Sequence, residues 1–139
     1  AAGAVTRLIE MGVEPYLLQS CLLGVLAQRL VKKNCEHCLK LEPVDKMIRQ
    51  SMNITDDEKF YYGSGCEQCN QTGVSGRIAV YELLQINDDI RDAIKSDVTT
   101  SAIYKEGLKS GMTPLTMNAL SRAREKEISL AEAYRIRLD

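Results

Sequence analysis

Two cysteine pairs constrain this chain more than any other feature. Cys35-Glu36-His37-Cys38 and Cys66-Glu67-Gln68-Cys69 share one spacing, with residues 39–65 between them. Two residues between cysteines let both sulfurs of a tight turn converge on one point. Two such turns supply the four thiolates of a tetrahedral structural zinc. Gly65 before the second pair and Gly73 after it provide backbone positions where a side chain would obstruct a sharp reversal. The insert exceeds the roughly 15 to 20 residues usual between such pairs, so a small subdomain is expected there. A thioredoxin-like redox pair needs a strand-to-helix setting, and duplication of the motif argues against it. Structural disulfides would leave one of the five cysteines over. The spacing favours zinc on Cys35, Cys38, Cys66 and Cys69.

Such a zinc has no open position for water, which makes it structural rather than catalytic. His37, the one histidine, lies inside the first turn and is expected to point away from the sulfurs. Lys32, Lys33, Lys40 and Arg77 would either offset the charge of about −2 that four thiolates leave on a zinc ion, or be plain solvated charge.

Composition closes off other classes. A net charge of −1 gives no electrostatic footprint for nucleic acid, and 5% aromatic residues with no Trp give no base-stacking surface. No apolar run approaches the roughly 20 residues that span a bilayer. No Gly-x-x-x-x-Gly-Lys-Ser/Thr loop occurs, so nothing here cradles a phosphate. With 139 residues, the chain can bury one moderate core with a small satellite.

Along the chain, Val5, Leu8 and Ile9 give a helical stripe over residues 2–11 that Gly12 stops. Pro15 restarts a helix, and Leu18, Cys21, Leu22, Val25, Leu26 and Leu30 share one face, so a helix is expected from Tyr16 to Lys33 with Cys21 buried on it. Val44, Met47, Ile48 and Met52 predict a short helix over 43–52. Thr55 with Glu58 resembles a capping box, but the Phe60-Tyr61-Tyr62 stretch suits a strand better. Gly73 and Gly76 bracket a turn, and Arg77 to Ile86 reads as a strand buried on both faces. The remainder is helical. Ile90, Ala93 and Ile94 mark one helix, Thr100 caps a second that ends near Gly111, Thr113-Pro114 opens a third, and Ser129 with Glu132 boxes the last.

These residues also carry a family resemblance. Thr6-Arg7-Leu8, Met11-Gly12-Val13, Pro15 and Gly24-Val25-Leu26-Ala27-Gln28-Arg29-Leu30-Val31, followed by the first cysteine pair, resemble the C-terminal region of bacterial type II secretion ATPases and type IV pilus assembly ATPases. Gly65 to Gly73 and Gly76-Arg77-Ile78-Ala79-Val80-Tyr81-Glu82-Leu83-Leu84 are similar to that family's second cysteine knuckle and the strand after it. The likeness is specific to about residue 86 and looser beyond, although Ile128-Ser129-Leu130-Ala131-Glu132-Ala133 also fits. Both cysteine turns hold Glu where relatives commonly have Pro, a loss of pre-set turn geometry.

The resemblance implies a fold and a function. The fold is mixed α/β and mostly helical: the C-terminal part of a RecA-like domain with a four-cysteine zinc-binding subdomain and a C-terminal helical bundle. Residues 1–34 would end the ATPase core as helices, 35–76 form the metal-binding subdomain, 77–86 return a strand to the core, and 87–139 form the helical domain. The family's members are cytoplasmic homo-hexamers docked on inner-membrane secretion or pilus platform proteins, associating with the membrane through those partners and with no nucleic acid. Their Walker A, Asp box, Walker B and His box would lie before Ala1, so ATP and magnesium belong to a longer protein and the chain alone is expected to be inactive. Arg7 and Arg29 would fall within the core, without an assigned role. The competing reading is a free-standing zinc-ribbon adaptor for a client protein or nucleic acid.

Overall fold

The computed structural model describes residues 1–138, which form seven α-helices and two two-stranded sheets. Helix α1 (Ala2–Glu10) buries Val5 and stops where Gly12 takes a left-handed φ of +101°. Helix α2 (Pro15–Cys21) begins on Pro15, whose missing N–H costs nothing in a first turn.

The helix expected from Tyr16 to Lys33 does not run that far. It ends at Cys21, and a strand β1 (Gly24–Asn34) takes over, so the helical reading of residues 1–34 holds only for their first part. The apolar spacing of this stretch fits two periods at once. Val25, Ala27 and Val31 turn inward with the alternation of a strand, while Leu26 and Leu30 are 58% and 50% exposed. Cys21 is likewise exposed rather than buried.

Strand β2 (Leu39–Leu41) pairs antiparallel with β3 (Tyr61–Gly63), Leu39 opposite Gly63 and Leu41 opposite Tyr61. Helix α3 (Lys46–Ser51) lies between them in sequence and is shorter than the stripe suggested. Met47 is exposed, while Met52 is buried just beyond the helix end. No helix follows Thr55. Strand β4 (Val74–Gln85) starts earlier than expected and is buried on one face only: Val80, Glu82 and Leu84 are covered, whereas Tyr81 and Leu83 are exposed. It pairs with β1. The Ile86 N–H donates to the Leu23 carbonyl at 3.1 Å and the Cys35 N–H to the Gly73 carbonyl at 3.0 Å, so the two strands run antiparallel.

Four helices complete the chain: α4 (Asp88–Ala93), α5 (Thr100–Lys109), α6 (Leu115–Arg124) and α7 (Leu130–Leu138). The cap of α5 is Thr99, one residue before the expected Thr100; its hydroxyl accepts from the Ala102 N–H. Asn87 caps α4 in the same way through the Ile90 N–H. The Ser129 hydroxyl accepts from the Glu132 N–H, the forward half of a capping box.

Two compact units divide the residues. The first holds 1–27 and 81–114, with Ala2, Val5, Leu18, Leu84, Ile86, Ile90, Ile94 and Ile103 in its core. Within it α1 packs on α5, α4 on α5 and α2 on α4, and Arg91 reaches the Gln19 carbonyl. The second holds 28–80 and the described residues from 115 on, built on Val31, Met52, Ile54, Phe60, Val80, Leu120, Ile128 and Leu130 among others, with α6 packed on α7. The helices after residue 87 are thus shared, α4 and α5 in the first unit, α6 and α7 in the second.

Candidate metal centre

Strand β1 delivers Cys35 at its end, and the turn 36–38 brings Cys38 to the start of β2. The second pair sits on a single 3-10 turn, Glu67–Cys69, which the chain leaves through two consecutive left-handed residues, Asn70 at φ 54° and Gln71 at φ 65°. Left-handed backbone is costly for most side chains, and asparagine is among those that bear it best. Gly73 at φ 77° then turns the chain into β4. A Cβ on Gly73 would collide with the Gly63 carbonyl, and one on Gly63 with Gly73, so both glycines are required by close approach of the two backbones.

The result is one cluster. The four Sγ atoms of Cys35, Cys38, Cys66 and Cys69 all lie within 4.8 Å of one another. Cys35 to Cys66 is 3.8 Å, Cys38 to Cys69 3.9 Å, and Cys66 to Cys69 3.7 Å. A tetrahedral ion with metal–sulfur bonds of about 2.3 Å requires sulfur–sulfur edges of about 3.8 Å. A disulfide requires about 2.05 Å. Three of the six separations thus match the edges of a four-sulfur tetrahedron, all six lie within 4.8 Å, and the set could hold one ion. His37 is exposed and, among the described residues, is not part of the group.

The surrounding backbone suits thiolates. The Gly65 N–H donates to Cys38 Sγ at 3.3 Å, and the Cys66 and Gly73 N–H groups donate to Cys69 Sγ at 3.3 and 3.1 Å. Such bonds favour the charged form of a ligand and fix its direction. Cys69 feels burial, which opposes its ionisation, but the Cys66 and Gly73 N–H groups and the thiols of Cys66 and Cys38 bring it down to about 6. For Cys35 the His37 N–H favours the thiolate, yet burial and the thiols of Cys38, Cys66 and Cys69 push it up to about 12. Four thiols sharing one small volume cannot all ionise without a cation among them.

Of the cations near the knuckle in sequence, Lys32, Lys40 and Arg77 are exposed, in keeping with solvated charge. Two residues that the sequence reading passed over tie the knuckle to the rest of its unit. Asn34, 4% exposed, donates through Nδ2 to the carbonyls of Tyr61 and Lys126, both at 3.1 Å. Glu42 accepts from the Leu130 and Ala131 N–H groups at 2.8 and 3.1 Å and so caps α7 from outside its own sequence neighbourhood. With a helix expected up to Lys33, nothing in the sequence marked Asn34, and nothing local marks Glu42.

No helix among the described residues is long and apolar enough to cross a membrane. The family described as Type II/IV secretion system protein matches residues 1–135. The type IV pilus assembly ATPase TfpB of Acinetobacter baylyi is 36% identical over 98% of this chain and 24% of its own length. The type IV pilus assembly ATPase PilB of Thermus thermophilus is 39% identical over 95% of this chain and 15% of its own. The type II secretion system protein E of Aeromonas hydrophila is 39% identical over 98% and 27%. The chain therefore spans little more than a quarter of the length of these relatives, at most.

Proposed function

The chain belongs to the Type II/IV secretion system protein family, and from that premise we propose that it is the zinc-binding C-terminal region of an ATPase that powers type II secretion or type IV pilus assembly. The observation that supports the zinc reading is the cluster of four sulfurs within 4.8 Å, three of whose separations, 3.7 to 3.9 Å, are those a four-thiolate zinc needs. Cys35, Cys38, Cys66 and Cys69 hold the ion, and its chemistry is structural, since four thiolates leave no coordination position for substrate. The N–H groups of Gly65, Cys66 and Gly73 orient the sulfurs and spread their charge.

The ATPase reading rests on relatives that bear that name and on the fraction of their length that this chain covers. ATP and magnesium are then handled by the longer protein, in which residues 1–34 and 77–86 belong to a RecA-like core, 35–76 to the metal subdomain and 87–139 to a helical domain. That protein is a cytoplasmic homo-hexamer working at the inner membrane through secretion or pilus platform proteins. The present residues serve assembly and coupling.

Purified under reducing conditions, the chain should carry close to one zinc per molecule by metal analysis; well under half occupancy with all thiols reduced would sink the metal reading. It should show no saturable ATP binding at micromolar nucleotide, because it has no phosphate loop. In the longer protein, Cys66→Ser should impair hexamer formation and partner-stimulated activity through folding of this region. Normal assembly with an emptied site would count against the coupling role.

A further inference from the structure

The second unit contains a chain of contacts that leads from the sulfur cluster to the turn between α6 and α7. It starts at both ends of the first cysteine pair. On one side, Asn34 precedes Cys35 and makes three hydrogen bonds: its N–H donates to the Glu127 carbonyl at 2.8 Å, and its side-chain amide donates to the carbonyls of Lys126 and Tyr61. Lys126 is itself held at a left-handed φ of 66°, with its ammonium 4.6 Å from the centre of the Tyr61 ring. On the other side, the Ser64 N–H donates to the Cys38 carbonyl at 2.9 Å, where the β2–β3 ladder begins. That ladder ends with the Glu42 N–H on the Phe60 carbonyl, which fixes Glu42 where its carboxylate takes the first two N–H groups of α7. Arg124 adds an ion pair to Glu58 at 2.9 Å.

The arrangement is unusual in one respect. A helix N-terminus has orphan N–H groups that a residue just before it normally satisfies. In α7 the local hydroxyl of Ser129 takes only the Glu132 N–H, while Leu130 and Ala131 depend on a side chain from the far end of the two-stranded β2–β3 ladder rooted in the knuckle. Likewise the strained carbonyl of Lys126 is held by the residue next to a sulfur ligand. The main links are directional hydrogen bonds of 2.8 to 3.1 Å, so displacement of the knuckle strains the bonds that hold the turn.

We infer that the cysteine knuckle latches the α6–α7 turn, with Asn34 and Glu42 as the transmitting residues, so that opening the knuckle releases residues 126–131 and frees the first turn of α7. The inference rests on the metal reading only for what opens the knuckle in nature. Loss of the ion would be reported at α7.

Amide hydrogen exchange on the chain, resolved at single residues by NMR, tests it. Stripping zinc with chelator under reducing conditions should speed exchange at Leu130 and Ala131 at least about tenfold while α5 amides hold their protection. Glu42→Ala and Asn34→Ala should do the same with zinc content unchanged, and Glu42→Gln, which keeps one acceptor oxygen, should fall between. Gly73→Val forces the knuckle open by collision with Gly63 whether or not an ion binds, and should release the same amides. Unchanged exchange at 126–131 after stripping or in Glu42→Ala overturns the latch. So does equal loss of protection in α5, which would make the knuckle a general determinant of stability. If the chain takes up no zinc, the metal reading fails by itself, and Gly73→Val with Glu42→Ala decides the latch.

Discussion

At Gly63 and Gly73 two backbones touch, and the sulfur cluster depends on that contact. Gly73→Ala must displace the Gly63 carbonyl as well as hold a left-handed φ, which should cost on the order of 2 to 4 kcal/mol and weaken zinc at least tenfold in a chelator competition. Gly76 has the same φ of 77° but no atom within 4 Å of an added Cβ. Gly76→Ala should therefore cost only the backbone term, about 1 kcal/mol, with zinc affinity unchanged. Similar losses in both variants would mean that backbone strain, not close approach, selects glycine here. Two carboxylates at the first turn of α7, Glu132 within it and Glu42 capping it, are shifted in opposite senses. Burial opposes ionisation of Glu132, but the Arg135 guanidinium, the Lys32 N–H and the charges of both residues hold it below its ordinary 4.5. Its contribution to stability is complete above pH 4.5 and is lost as pH falls through the folded value. Burial of Glu42 outweighs the Leu130 and Ala131 N–H groups and holds it above 4.5, so its contribution is complete in acid and is lost as pH rises through the folded value. Denaturant titrations should show Glu132→Gln losing its deficit against the parent on acidification, and a deficit that persists to pH 3 would reverse the assigned sign.

Among the elements most were legible, but β1 was misread as helix and β2 was not foreseen. The stripe of α1, the restart at Pro15, the turns at both cysteine pairs and the helices after residue 87 all follow from local chemistry that tertiary contacts did not override. Residues 24–34 defeated the same reasoning because Leu22, Val25, Leu26 and Leu30 satisfy a helical period while Val25, Ala27 and Val31 satisfy a strand. A single sequence offers no way to choose when the partner strand lies some fifty residues later. The same blindness hid the exposed face of β4 and the cap supplied by Glu42, whose partners are 88 and 89 residues away. The strand makes a discriminating claim: Leu30 faces outward and Val31 inward. Leu30→Gln should leave stability within about 0.5 kcal/mol, whereas Val31→Gln buries an unpartnered amide and should cost about 2 to 4 kcal/mol by urea denaturation. Comparable costs at both positions would restore the helix. At α5, Thr99→Ala removes the acceptor for the Ala102 N–H and should cost about 1 kcal/mol, whereas Thr100→Ala loses only an exposed hydroxyl contact with Thr6 and should cost less.

For the whole molecule, the two cores share no side chain. Ile103 lies in the first and Leu120 in the second, both essentially without exposure. Truncating either to Ala should cost about 2 to 5 kcal/mol, with faster exchange confined to α4 and α5 in one case and to α6 and α7 in the other. The antiparallel pairing of β1 with β4 has a further consequence, for the order in which the chain finds its shape. Its outer hydrogen bond joins Leu23 and Ile86, and its inner one joins Cys35 and Gly73. Closing the outer bond first means searching through a long loop, at an entropic cost that grows with the logarithm of its length. A thiolate-bound ion that gathers Cys35 and Cys69 early leaves only neighbouring residues to pair, and the ribbon can then close like a zip fastener from the sulfur end towards Leu23. Refolding from denaturant should accordingly be faster with one equivalent of zinc present than without it, and identical rates would mean that the strands meet before the knuckle does.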